Sequence, residues 1–184
     1  MAAVSNLKNM VLSLTLVCLV CSAILGGVFA MTSAPIKAAE AAKTNASIAR
    51  VLPAFQAKPA RESINVDGID YTFYRVPGAG YAVISTVGGF GGPLTLMVGI
   101  EENGLICNTV VLSHSETPGL GAKCQTDASF IDQFKGWDPA SMKLAVTKDG
   151  GDVDAITAST ITSRAYSAAI ANAYSVYLKL KENE

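Results

Sequence analysis

The chain has 184 residues, is 50% hydrophobic and only 16% charged, an apolar balance for a soluble protein of single-domain length. Its formal net charge is −1, and once Lys8 is set aside the rest carries 13 Lys/Arg against 15 Asp/Glu. That is no basic footprint, so the composition argues against a nucleic-acid partner.

Much of the apolar excess is gathered near the start. After a short tail (1–9), residues 10–31, MVLSLTLVCLVCSAILGGVFAM, contain no charge. About 20 apolar residues at 1.5 Å rise cross the ~30 Å hydrocarbon core of a bilayer, so this segment is expected to be a transmembrane anchor. A signal peptide is the rival reading, since Val28-Phe29-Ala30 resembles a small-x-small cleavage site. Against it, the run is longer than the roughly 7–15 residues of an ordinary signal core. Flanking charge leaves orientation open: Lys8 precedes the helix, but Lys37, Lys43 and Arg50 follow it with only Glu40 against them. Cys18 and Cys21 share a helix face, but two thiols make an incomplete metal site and small apolar residues explain them better.

Residues 32–62 read as a membrane-proximal helix and linker outside the core. Ile36, Ala39, Ala42, Ala46, Ala49 and Leu52 form a weak helical stripe, bounded by Pro53 and Pro59. From 63 to 184 the period changes. DYTFYRV (70–76) and YAVISTV (81–87) are β-rich and separated by Pro77-Gly78-Ala79-Gly80. GGFGG (88–92) breaks the pattern, as a tight turn or a pocket wall. LTLMVGIE and LICNTVVL then flank Asn103-Gly104, the strongest short hairpin signal, giving four strands by residue 112. SHSETPGLGAK (113–123) is a loop, and DASFIDQFKGW a helix capped by Asp127 with Phe130, Ile131 and Phe134 on one face. MKLAV (142–146) and VDAIT (153–157) read as short strands around an Asp-Gly-Gly-Asp turn. From Ser163, Tyr166, Ala169 or Ile170, Ala173, Tyr177 and Leu180 recur at helical spacing. The expected architecture is an α+β domain, an antiparallel sheet flanked by helices and tethered by one transmembrane helix. Cys107 and Cys124 would pair only with Cα atoms within about 7 Å, which spacing leaves open.

The stretch DAITASTITSRA (154–165) crowds Thr157, Ser159, Thr160, Thr162 and Ser163 ahead of the last helix. Thr162 or Ser163 suits the N-cap. Capping needs one hydroxyl, and the surplus sits where orphan N–H groups and the helix dipole favour a phosphate. A hydrolase would need His114, the single histidine, as base with Glu116 behind it, but no G-x-S-x-G elbow is present. One histidine and scattered cysteines also fail to supply a catalytic zinc site. No G-x-G-x-x-G dinucleotide fingerprint follows a strand.

DAITAST resembles the flavinylation motif of the FMN-binding domain family, Asp-Gly/Ala-x-Ser/Thr-Gly-Ala-Thr, with Asp154, Ala155, Thr157 and Thr160 fitting the pattern. ETPGLG within residues 111–123 is similar to a segment shared by the G subunit of Rnf electron-transport complexes and the C subunit of the Na⁺-translocating NADH:quinone reductase. GGFGGPLTLMVGIEENGLI before it and FIDQFKGW after it match in order and spacing, as does the N-terminal membrane helix. The resemblance thus covers essentially the whole chain, and the compact length is nearer the Rnf protein. Two positions depart from the motif: Ala158 stands for the usual Gly and Ser159 for the usual Ala.

The resemblance implies an FMN joined through its phosphate to Thr160 by a flavin transferase that uses FAD. It implies an electron relay, without a catalytic or metal site of its own, within a bacterial inner-membrane ferredoxin:NAD oxidoreductase that pumps ions. The flavin domain would lie on the extracytoplasmic, periplasmic side, with membrane and iron–sulfur subunits as partners. The ring would lie on the ETPGLG loop, with Gly119 and Gly121 permitting close approach, Pro118 and Leu120 offering apolar surface, and Ser115, Glu116 and Thr117 as polar neighbours. Thr157 and Thr162 would hold the phosphate, and Ser159 would be a rival acceptor oxygen. Other readings are the C subunit of a Na⁺-translocating NADH:quinone reductase, a stand-alone exported flavoprotein and, from a different class, a flavin-free membrane-anchored interaction module.

Overall fold

A computed structural model describes residues 7–183. The chain divides into two compact units that meet between Thr44 and Asn45. The first is most of one helix, α1 (Leu7–Val51), long and apolar enough to cross a membrane. Its large side chains, Leu12, Leu16, Leu19 and Phe29 among them, are uncovered. The two expected helices before residue 52 are one, running through Pro35. Thr32 and Ser33 just before that proline turn their hydroxyls back onto the carbonyls of Val28 and Ala30.

The second unit holds β1 (Ala60–Val66), β2 (Ile69–Val76), β3 (Gly80–Gly88), β4 (Pro93–Ile100), β5 (Ile106–Ser113), α2 (Lys123–Thr126), α3 (Ala128–Asp132) and α4 (Thr160–Glu182). The strands form an antiparallel meander in chain order. β1 is a strand that the sequence pattern does not reveal. Its hairpin signal is Asp67-Gly68, both in the left-handed region (φ 52 and 83), as a mirror-image turn requires. The strands expected at 142–146 and 153–157 do not form. Only Val146 and Val153 pair, in a single parallel bridge, because a parallel ladder needs a longer crossover than this tight return supplies.

Both sheet faces are buried. On one, Phe73, Tyr81, Val83, Leu94, Leu96 and Val98 pack with Tyr166, Ile170, Ala173 and Val176 of α4 and with Phe130, Phe134 and Trp137. On the other, Val76, Ala82 and Met97 pack with Ile48, Val51 and Leu52. The end of the segment read as lying outside the core is therefore a core element. The reason is tertiary: a Cβ on Gly99 would overlap the Val51 carbonyl, so glycine there lets the helix lie directly on the sheet. Asn108 Nδ2 also donates to the Arg50 carbonyl at 2.9 Å. Cys107 belongs to this second core and Cys124 to the first, and both thiols are free.

Candidate functional site

The turn into α4 is built around one strained residue. Ala158 has φ 61, a left-handed conformation that costs an L-residue roughly 1–2 kcal/mol and that glycine adopts freely. It is the position at which the motif has glycine. The kink lets the Ser159 N–H donate to the Ile156 carbonyl at 3.0 Å while its own carbonyl accepts from the Ser163 N–H at 3.0 Å. Ser159, not Thr162 or Ser163, is therefore the N-cap, and its side chain makes no capping bond. Its Oγ is buried with no partner.

The other hydroxyls divide by direction. Ser163 Oγ accepts from the Ile156 N–H at 3.0 Å and donates to the Ser159 carbonyl at 3.1 Å, stapling the turn to the helix. Thr162 Oγ1 donates to Glu116 Oε2 at 2.9 Å. Thr160 is half-buried at the first helical position, and Thr157 is exposed.

Glu116 ties together three segments. Only 5% exposed, it also accepts the Phe90 N–H on Oε1 at 2.8 Å, and so joins the 88–92 loop and α4 to its own loop. A Cβ on Gly89 would collide with Oε1, and one on Gly121 would lie 2.5 Å from Oε2 and 2.6 Å from Thr162 Oγ1. These glycines exist because the carboxylate does. The Glu116 N–H donates to His114 Nδ1 at 3.2 Å, and His114 Nε2 lies 3.1 Å from Gln125 Oε1. The imidazole is thus a brace for the loop.

Between these segments lies a cleft of about 360 Å³, within the range of small-molecule sites. Glu116, Thr117 and Leu120 form one wall, and Ser159, Thr160 and Thr162 the other, with Phe90 alongside. Ser115, Gly119 and Thr157, grouped with these by sequence, are exposed and do not line it. Phe90 and Ile161, 69% and 49% exposed, do line it. The sequence marks the 88–92 stretch as a turn or pocket wall without singling out Phe90, and sequence reasoning misses Ile161. Their signal is a large apolar side chain set among glycines in one case and hydroxyls in the other. With Leu120, 45% exposed, they give the cleft an apolar mouth above a polar floor. The first N–H groups of α4 have no intrahelical acceptor, and beside them stands the unpartnered Ser159 hydroxyl. A ligand with a phosphate at one end and a flat apolar ring at the other fits that arrangement.

Neither Cys107 nor Cys124 is primed as a thiolate. Burial, with the Glu116 carboxylate adding to it, pushes the Cys124 thiol up to about 11. Burial and then Glu101 push Cys107 up to about 12.

A family model described as an FMN-binding domain matches residues 89–175, which takes in all three segments around the cleft. The G subunit of an ion-translocating oxidoreductase complex from Stutzerimonas stutzeri is 38% identical over 84% of this chain and 73% of its own length. The corresponding Shewanella piezotolerans protein is 32% identical over 88% of this chain and 84% of its own. The G subunit of a proton-translocating ferredoxin:NAD(+) oxidoreductase complex from Clostridium ljungdahlii is 32% identical over 83% and 82%. With the apolar span of α1, these relatives mark a membrane-anchored protein. Carrying the cleft and the motif that shapes it, the chain belongs to the G-subunit family of ion-translocating oxidoreductase complexes.

Proposed function

We propose that this protein is the electron-relay subunit of an ion-pumping ferredoxin:NAD oxidoreductase complex, and that it carries FMN joined through its phosphate to Thr160. The observation that carries this reading is the convergence at the start of α4. Thr160, the buried and unpartnered Ser159 hydroxyl, and the Glu116–Gly121 loop face one cleft. The flavin supplies reversible uptake of electrons; the chain supplies the rest. Free N–H groups at the head of α4 and the positive end of its dipole hold the negatively charged phosphodiester. Phe90, Leu120 and Ile161 offer the ring apolar surface and keep water from it. In maturation, Thr160 Oγ1 would take the FMN phosphoryl group from FAD on a flavin transferase, with AMP leaving and the hydroxyl proton released. A tether of this kind retains the cofactor on the extracytoplasmic side, where we place the domain.

The relatives, named as subunits of complexes, support other subunits of such a complex as its neighbours, and we take membrane and iron–sulfur subunits to be those that deliver and remove electrons. Intact mass of the protein from its native membrane tests the reading. The expected result is the polypeptide plus one FMN, with in-gel flavin fluorescence lost in Thr160→Val. A mass equal to the amino acids alone overturns it, and fluorescence that survives Thr160→Val moves the attachment to another oxygen.

A further inference from the structure

We propose that the Glu116 carboxylate holds the reduction potential of the flavin low, by setting an uncompensated negative charge against the cleft. This rests on the reading of that cleft as the flavin site. Glu116 is the one buried acidic side chain of the described core, and no ion pair with a cation engages it among the described residues. Both carboxylate oxygens accept, one from the Phe90 N–H and one from the Thr162 O–H. These donors are neutral, so they orient the charge without cancelling it. The nearest titratable ring, His114, accepts the Glu116 N–H on Nδ1. That contact is to the Glu116 backbone and not to its carboxylate. On the inner side lies Cys124, whose thiol is pushed up by burial and then by the same carboxylate.

The consequence follows from charge balance. Full reduction of the ring takes up two electrons from a partner redox centre, and where one proton follows, the ring is left with one negative charge. A fixed carboxylate beside a partly desolvated ring raises the energy of that product more than of the neutral oxidised form. The potential falls accordingly, which is one of the levers by which a protein tunes a cofactor. A neutral residue that keeps the same hydrogen bonds isolates the charge, and the geometry says which one. Glutamine can accept the Phe90 N–H through its oxygen and donate through its amide to Thr162 Oγ1, whose hydroxyl simply rotates. Glu116→Gln therefore removes the charge and keeps both bonds, while Glu116→Ala removes both.

The test uses the full-length, flavin-loaded protein, titrated potentiometrically while flavin absorbance is followed, so that the readout is a property of each bound flavin and not of turnover. The expected result is a shift of the Glu116→Gln midpoint to more positive potential. A midpoint that coincides with wild type overturns the proposal. Thermal unfolding of flavin-free protein, made without flavin transferase, separates charge from architecture. Glu116→Gln is expected to melt near wild type and Glu116→Ala clearly below it. If Glu116→Gln melts as low as Glu116→Ala, the cleft has collapsed and the charge assignment falls. A wild-type chain that carries no flavin would overturn the cofactor reading itself, an outcome distinct from a loaded Glu116→Gln with an unmoved midpoint.

Discussion

The two faces of the sheet are each closed by a helix, one by the last turn of α1 and the other by the body of α4, whose start borders the cleft. Where α1 ends, the Arg50 carbonyl is taken by the Asn108 amide and the Val51 carbonyl is pressed against Gly99. Where α4 begins, the chain has a left-handed Ala158, a buried hydroxyl without a partner and a run of orphan N–H groups. The two faces are alike in burial and differ in what the backbone leaves over. Helix C-termini spend their carbonyls on side chains and turns, whereas a helix N-terminus with an unused cap oxygen retains donors for a ligand. Packing makes both faces, and only leftover hydrogen-bonding capacity makes one of them a site.

The contrast can be broken most severely at Gly99. Gly99→Ala drives a Cβ into the Val51 carbonyl and is expected to lower unfolding free energy by about 3 kcal/mol. Denaturant unfolding measures this, and in-gel flavin fluorescence should survive because the cleft is on the opposite face. Gly121→Ala puts the equivalent insult on the other side, against Glu116 Oε2 and Thr162 Oγ1. Both groups are side-chain ends that can yield, so a loss of about 1–2 kcal/mol is expected, together with a fall in flavin content per chain by absorbance.

Ala158→Gly sharpens the comparison in the other direction. Relief of the left-handed strain, less the entropy that glycine adds to the unfolded chain, should stabilise the protein by about 0.5–1 kcal/mol, read as a raised melting temperature. The smallest effect concerns the outer side of α4. Arg164 donates twice to Asp149 at 2.7 Å, and that hydrogen bond, with the attraction of the guanidinium, holds the Asp149 carboxyl below its ordinary range. A depressed carboxyl stabilises the fold fully above its unfolded value, about pH 4, and loses that contribution as pH falls through the folded value. Asp149→Asn should therefore lower the melting temperature slightly at neutral pH and converge with wild type as the pH falls below about 4, so that part of the acid decline is flattened.

Much of this is legible in the residues. Pro77-Gly78 and Asn103-Gly104 place two hairpins, and the 3.6 period fixes the buried face of α4 through Tyr166, Ala169, Ile170 and Ala173. β1 escapes because it is a largely exposed edge strand with no alternation to read. The last turn of α1 escapes because its stripe is mostly alanine, and only Gly99, far along the chain, shows that something packs there. α4 begins at Thr160, before the apolar period starts, because its first turn is polar for the sake of the cleft. In the cleft, residue types are readable and directions are not. Nothing local tells Thr162, which turns inward to Glu116, from Thr160, which borders the opening, because the partner that decides it lies 46 residues away. The alanine in place of the motif's glycine is visible as a departure, and its left-handed φ gives that departure its physical meaning.

The seating of Ile48 and Val51 on the sheet also governs how the protein can be trimmed for work in solution. A soluble fragment that starts near Asn45 keeps the apolar lid over Val76, Ala82 and Met97. One that starts at Pro53 strips it off, and the bared strands should drive such fragments to aggregate before any cofactor could be loaded.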